Sequence, residues 1–216
     1  NDADNFLISN NFVDVSDYGI YINDGNLNGV TRSQISNNMV TSGNDYGIYI
    51  YDASNVDIWF NSVIGEPAIN FNVSGGIGGI DLRNNILQSN GDYAFESESG
   101  TGFDALDYNL YYTNGTDFIQ FEDTDYSNLK SWKSSHPNHN GASIEKQPEF
   151  VSNSNLHLNS SAELPLGTVI SSITKDIDGD ARCDFAATMG ADEYNHPFIM
   201  PVAEFTSEDT VGVNSP

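Results

Sequence analysis

Three aspartates, an arginine and a tryptophan recur at a fixed interval in the first half of the chain. Asp57 and Asp81 are 24 residues apart, as are Trp59 and Arg83, and Arg83 and Asp107. Such an interval matters chemically only if the chain coils and brings one turn beside the next. Strands on adjacent turns run about 4.8 Å apart, near the separation of a retaining glycosidase carboxylate pair, and two turns apart would suit an inverting pair. Trp59 could then stack on a sugar ring through its apolar face. The plainer alternative is a solvated acidic face with cross-strand Asp/Arg pairs, each contributing roughly 0.2–1 kcal/mol.

A coil is what the sequence predicts. The pattern apolar-x-x-Asn-x-apolar occurs five times, with its asparagine at Asn11, Asn38, Asn61, Asn85 and Asn109, spaced by 27, 23, 24 and 24 residues. Between the copies lies a second apolar doublet: Ile20/Ile22, Ile48/Ile50, Ile69/Phe71, a weaker Ala94-Phe95, and Ile119/Phe121. A third short strand precedes each asparagine, as Val56 with Ile58 and Ile80 with Leu82. Period-two runs broken by Gly, Asn, Asp and Ser are strands rather than helices. Each repeat is too short to hold a crossover helix, so the economical solution is two or three short strands per turn, stacked as parallel sheets. One asparagine per turn fits a repeated corner, because Asn tolerates the left-handed backbone and its stacked amides can hydrogen-bond along a ladder.

With the residue three before each asparagine pointing inward, its neighbours point outward. One outward column then reads Leu7, Gln34, Asp57, Asp81, Ala105, and the next Ser9, Ser36, Trp59, Arg83, Asp107. These columns gather Asp57, Asp81, Arg83 and Asp107 as candidate catalytic residues. The repeated "DYGIYI" at 17–22 and 45–50 supplies a second face. If its isoleucines point inward, Tyr21 and Tyr49 point out one rung apart, with Tyr51 just beyond. Together with Trp59 they are candidate carbohydrate-binding residues on a flat aromatic strip. The column continues as Asn70, Glu96 and Gln120. The competing reading is that tyrosine simply favours strands.

The loop "DIDGDARCD" (176–184) offers Asp176, Asp178 and Asp180 as calcium ligands, although Gly179 and Ala187 rule out an EF-hand. The alternative there is structural, with Arg182 clamped to Glu193 or Asp192. His136, His139, His157 and His196 show no zinc-motif spacing. The Gly-rich "SGGIGG" (74–79) precedes a strand rather than a helix and is read as a turn, not a phosphate cradle.

Seven Lys and Arg face 31 Asp and Glu, a net charge of −24. A surface this negative repels phosphate backbones, which excludes nucleic acid as a partner, and repels polyuronates unless calcium bridges the two. Cys183 is the single cysteine, so no intrachain disulfide forms. No run is long and apolar enough for a membrane-spanning helix. The chain starts at Asn1 without Met or signal peptide, and is read as a mature or excised piece with rungs missing upstream.

Residues 6 to 122 resemble the right-handed parallel β-helices of the pectate-lyase-like superfamily. The segments "SIEKQPEFV" (143–151), "DIDGDARCD" (176–184) and "MGADEY" (189–194) resemble the phrases that close the coil in secreted bacterial β-helix proteins. "PVAEFTSEDTVGVNSP" (201–216) resembles the start of a PKD-type immunoglobulin-like module. The resemblance implies an all-β fold: a right-handed parallel β-helix, a β-solenoid of about five rungs, over 1–122. An irregular C-terminal cap is expected over 123–196, then a linker and truncated module over 197–216. It also implies an extracellular setting, neighbouring domains and a glycan or polysaccharide partner. Two functions compete: a non-catalytic module with a glycan-binding face, or the end of a polysaccharide lyase or glycoside hydrolase. A lyase of this kind would need an arginine or lysine base beside calcium-binding aspartates, and Arg32 and Arg83 are the only basic residues before Lys130.

Overall fold

The computed structural model describes residues 5–23, 25, 31–72, 78–99, 102–159 and 164–194. The first turn contributes strands β1 (Leu7–Ser9), β2 (Phe12–Val15) and β3 (Ile20–Asn23). The second contributes β4 (Ser33–Ser36), β5 (Met39–Ser42) and β6 (Ile48–Tyr51), and the third β7 (Val56–Trp59), β8 (Ser62–Gly65) and β9 (Ile69–Asn72). The fourth has β10 (Ile80–Arg83), β11 (Ile86–Ser89) and β12 (Phe95–Ser97). The fifth has β13 (Phe103–Asp107), β14 (Leu110–Thr113) and β15 (Ile119–Phe121). Equivalent strands pair in parallel from turn to turn, giving three sheets and a β-solenoid of about four turns from β1 to β13.

The interior is the apolar half of each strand. Ile35, Ile58, Leu82 and Leu106 stack in the first sheet, Val40, Val63, Leu87 and Tyr111 in the second, and Ile48, Ile69, Phe95 and Ile119 in the third. The fourth copy of the third-sheet doublet is Phe95 and Ser97 rather than Ala94 and Phe95, since Phe95 registers with Ile69 and Ser97 with Phe71. A small polar residue in an inward slot hid the phase of that rung. Glycine in "DYGIYI" has a steric cause: a Cβ on Gly19 would sit 2.3 Å from Val40 Cγ1, and one on Gly47 the same distance from Val63 Cγ1.

Between the first and second sheets the chain turns through two residues per rung. The second is the repeated asparagine, whose amide bonds up the coil. Asn38 Nδ2 donates to Asn61 Oδ1 (2.9 Å), Asn61 to Asn85 (3.0 Å) and Asn85 to Asn109 (3.0 Å). Each of these oxygens also accepts the backbone N–H of the asparagine one rung earlier, and Asn109 N–H ends the run on Ser143 Oγ. The left-handed residue is the one before, at Asn10, Asn37, Phe60, Asn84 and Tyr108, with φ between 53° and 60°. The repeated asparagine therefore serves the ladder, and its predecessor bears the backbone strain. That strain is tolerated at Phe60 and Tyr108, residue types that seldom adopt positive φ.

At the far end, β16 (Thr124–Tyr126) pairs antiparallel with β15, and helix α1 (Leu129–Ser135) follows, capped by Asn128 Oδ1 on Ser131 N–H. The helix drives Trp132 into the coil end, where its ring lies 5.3 Å from those of Phe95 and Phe121. β17 (Ile144–Glu145) extends the second sheet, and a hairpin of β18 (Phe150–Ser152) and β19 (Asn155–Leu158) folds against that sheet's outward face. Residues 164–194 then run back along the side of the coil rather than over its end. Together with β19 they cover the outward face of the second sheet: Met39 and Ile64 pack with Leu156 and Ala191, and Ile86 and Leu110 with Leu158 and Met189. Among the described residues no helix is long and apolar enough to cross a membrane.

Candidate functional site

The carboxylate face has the expected register. Asp57 lies opposite Asp81, Trp59 opposite Arg83, and Arg83 opposite Asp107. Each carboxylate, however, already holds a partner from its own fold. Arg83 grips Asp81 through Nε (2.7 Å) and Nη2 (2.6 Å), a two-point contact within one strand. Asp57 is paired by Arg32, which also reaches Asp104 (2.9 Å) and the carbonyl of Gly79 (2.6 Å). Burial raises the Asp57 pKa, and the Arg32 guanidinium opposes that shift. Asp107 Oδ1 accepts the N–H groups of Ala142 (2.7 Å), Tyr108 (2.8 Å) and Ser143 (3.1 Å), fixing the loop after α1. Trp59 packs on the cluster of Phe60, Ile170, Ile173 and Ala187, with the Arg83 guanidinium 5.9 Å from its ring. Arg32 and Asp104 were not legible as partners, because Arg32 lies just before β4 and Asp104 is the residue of β13 skipped where its register against β10 shifts.

The loop at 176–180 does not gather its three aspartates. Asp176 is buried and turned onto backbone, accepting from the N–H groups of Asp178 (3.0 Å), Asp180 (2.8 Å) and Glu193 (2.9 Å). Asp178 points away toward His157 Nε2 (2.8 Å). Among the described residues, the carboxylate and imidazole atoms that come within 4.8 Å of one another belong to His157, Asp178 and Asp192. Asp180 is not one of them.

Arg182 lies beside Glu193 (Nη1 to Oε2, 3.2 Å) and bonds the carbonyls of Thr188, Gly190 and Ala191 and the side chain of Asn37. Its guanidinium stands 3.9 Å from the centre of the Phe60 ring. Burial pushes the Arg182 pKa down to about 10, against the pull of Glu193 and Asp176. Burial likewise raises Glu193, so both charges bear a desolvation cost that the surrounding hydrogen bonds offset. The pair ties the lateral segment to the left-handed corners of the coil.

The tyrosine face is larger than the two outward residues of β3 and β6. Tyr21 and Tyr49 stack at 5.2 Å with planes 13° apart, and Tyr18 and Tyr46 join them. Tyr46 lies 4.6 Å from Tyr49, and Tyr18 lies 5.5 to 5.8 Å from Tyr21, Tyr46 and Tyr49. Tyr18 and Tyr46 could have been found, since each "DYGIYI" carries a tyrosine on both sides of its glycine. Nearly parallel rings this close are offset-stacked and cannot lie side by side in one plane. The expected flat strip is thus a slipped stack, which turns ring edges and hydroxyls outward. Tyr51 stands apart, tilted by 57° at 6.3 Å from Tyr49.

No family model, no curated protein and no solved structure matches the chain. The β-solenoid stands on the geometry above, and the superfamily and PKD-type resemblances stand on their motifs. The stretch 197–216, His196 and most of "SGGIGG" lie outside the described residues.

Beyond Tyr49 the face turns polar. Asn70 Nδ2 donates to Glu96 Oε2, while its own Oδ1 is buried without a donor. Burial raises the Glu96 pKa, and the Asn70 hydrogen bond opposes it. Tyr93 Oη donates to Asp125 (2.8 Å), with Gln120 Nε2 on the same carboxylate (3.1 Å). Burial, then the phenols of Tyr46, Tyr21 and Tyr18, push the Tyr49 pKa up to about 12. The Tyr49 hydroxyl is therefore a neutral donor at any physiological pH. The face combines aromatic edges with hydrogen-bonding groups.

Proposed function

We propose that this chain is a non-catalytic β-solenoid module of a larger secreted or cell-surface protein, and that its tyrosine face docks an extracellular glycan. The observation that carries the reading is the four-ring stack of Tyr18, Tyr21, Tyr46 and Tyr49. Two of its members are about half exposed, Tyr18 at 41% and Tyr21 at 49%. Exposed aromatic clusters of this size favour binding surfaces. Sugar C–H groups would meet the free outer faces and edges of the rings, and the hydroxyls would bond sugar oxygens. A net charge of −24 favours neutral glycans, or acidic ones bridged by calcium. The partners held by Asp57, Asp81, Arg83 and Asp107 weigh against the alternative of a lyase or hydrolase end.

A glycan array with and without calcium tests the reading. The wild-type chain is expected to retain a defined glycan class without releasing product, and the double variant Tyr21→Ala/Tyr49→Ala to lose it. Release of reducing ends or unsaturated sugars that disappears in Asp81→Asn would overturn it in favour of an enzyme.

A further inference from the structure

A second site lies over the outward face of the second sheet, where the lateral segment meets β19. We propose that His157, Asp178 and Asp192 form a binding site for a divalent metal ion of the zinc class.

The three residues come from three separate stretches of chain: His157 from β19, Asp178 from the 176–180 loop, and Asp192 from the last described segment. Their ligand atoms all lie within 4.8 Å of one another. Metal bonds of about 2.0–2.1 Å in tetrahedral array set ligand atoms about 3.3 Å apart.

The imidazole is held for the task. Nδ1 faces Asn155 Oδ1, and the same oxygen accepts the backbone N–H of His157 (3.3 Å), which fixes the orientation of the amide. An oxygen there makes Nδ1 the protonated nitrogen of a neutral ring, and a hydrogen bond from the distal nitrogen is how ligating histidines are oriented. Nε2 then turns its lone pair toward Asp178 Oδ2 at 2.8 Å. Two lone pairs cannot meet at that distance unless a proton or a cation lies between them. A proton alone yields one imidazolium, yet the site holds two carboxylates. Asp192 accepts the N–H of Leu158 at Oδ2 (2.8 Å), which fixes the second carboxylate beside the imidazole.

The donor set selects the ion. One imidazole nitrogen and two carboxylates suit zinc and its neighbours, whereas calcium takes six to eight oxygens. Three protein ligands leave a coordination position open. The Phe12 ring stacks on His157 at 6.0 Å, and a groove of about 290 Å³ bordered by Phe12, Asp14 and Thr41 reaches the imidazole, giving a hydrated ion a way in. This site is independent of the tyrosine face.

The test is calorimetric titration of the chelator-treated chain with zinc chloride, and separately with calcium chloride. One equivalent of zinc is expected to bind, more tightly than calcium, and to raise Tm by roughly 5–10 °C at a hundredfold excess over Kd. His157→Ala and Asp178→Asn should each weaken zinc at least tenfold, while His139→Ala leaves it unchanged. Asp178 is exposed, so its variant keeps the fold and decides the question if His157→Ala does not. Cobalt in place of zinc should show visible absorption that His157→Ala or Asp178→Asn alters. Absence of zinc binding would leave an imidazolium–aspartate pair and overturn the proposal. Binding indifferent to both substitutions, or calcium bound more tightly than zinc, would do the same.

Discussion

Two ladders run along this coil, one inside and one outside, and they behave differently. The asparagine ladder occupies all five rungs, and its members Asn38, Asn61, Asn85 and Asn109 are fully buried. The tyrosine ladder occupies two rungs, is half exposed, and gives way to Asn70, Glu96 and Gln120. Both arise because turns of similar length set like residues above one another. The inner ladder satisfies itself: the amide oxygens of Asn38, Asn61, Asn85 and Asn109 each have two donors from the previous rung. The outer one leaves hydroxyls and ring edges to solvent. A ladder with no unspent valence holds a fold together, and one with groups to spare is available to a ligand.

The contrast breaks first at its inner member. Asn61→Ala removes the acceptor of two Asn38 donors and strips the carbonyl of Ile35 of its partner, deep inside the coil. Leaving several buried groups unpaired should cost about 3–4 kcal/mol, read as a lower urea midpoint at unchanged slope. A loss under about 1 kcal/mol would mean that the ladder is incidental to stability.

The outer ladder is probed by alkali. Tyr49 ionises near 12 in the fold against an ordinary value of 10.0. A group whose folded pKa is raised contributes its stability fully below the unfolded value and loses it as pH climbs through the folded one. Stability should therefore hold up to pH 10 on this account and fall between 10 and 12, with phenolate absorbance lagging that of free tyrosine. Tyr49→Phe should remove that share of the loss. Equal titration of every tyrosine near 10 would contradict the stack.

The smallest effect is expected on the carboxylate face. Asp81→Asn keeps the shape but weakens the two-point contact with a partly exposed Arg83, costing about 1 kcal/mol or less by denaturation. Glycan retention should not change. A larger loss would show that the face belongs with the inner ladder rather than with solvated surface.

Legibility in the sequence followed the repeat. Where rungs are in phase, the columns Asp57–Asp81 and Tyr21–Tyr49 could be written down without coordinates, and the register agrees. Where an inward slot carries Ser97, the phase slipped by one residue. Ring orientation was not legible, because a column gives position but no χ angles, and so a slipped stack was taken for a flat strip. Contacts made outside the repeat left no trace either. Arg32 reaches Asp104 across 72 residues, and the His157 cluster joins three segments that share no period.

The lateral segment also measures the coil. It grips Asn37 through the carbonyl of Lys175 and the guanidinium of Arg182, and Asn84 through Thr168 and Gly190, two turns further on. A rung deleted or inserted between these corners would change their separation by about 4.8 Å, and both grips could not close together. The lateral segment thus works as a gauge. It docks only on a coil with the right number of turns, over a sequence separation of 145 residues that makes this among the slowest contacts to form.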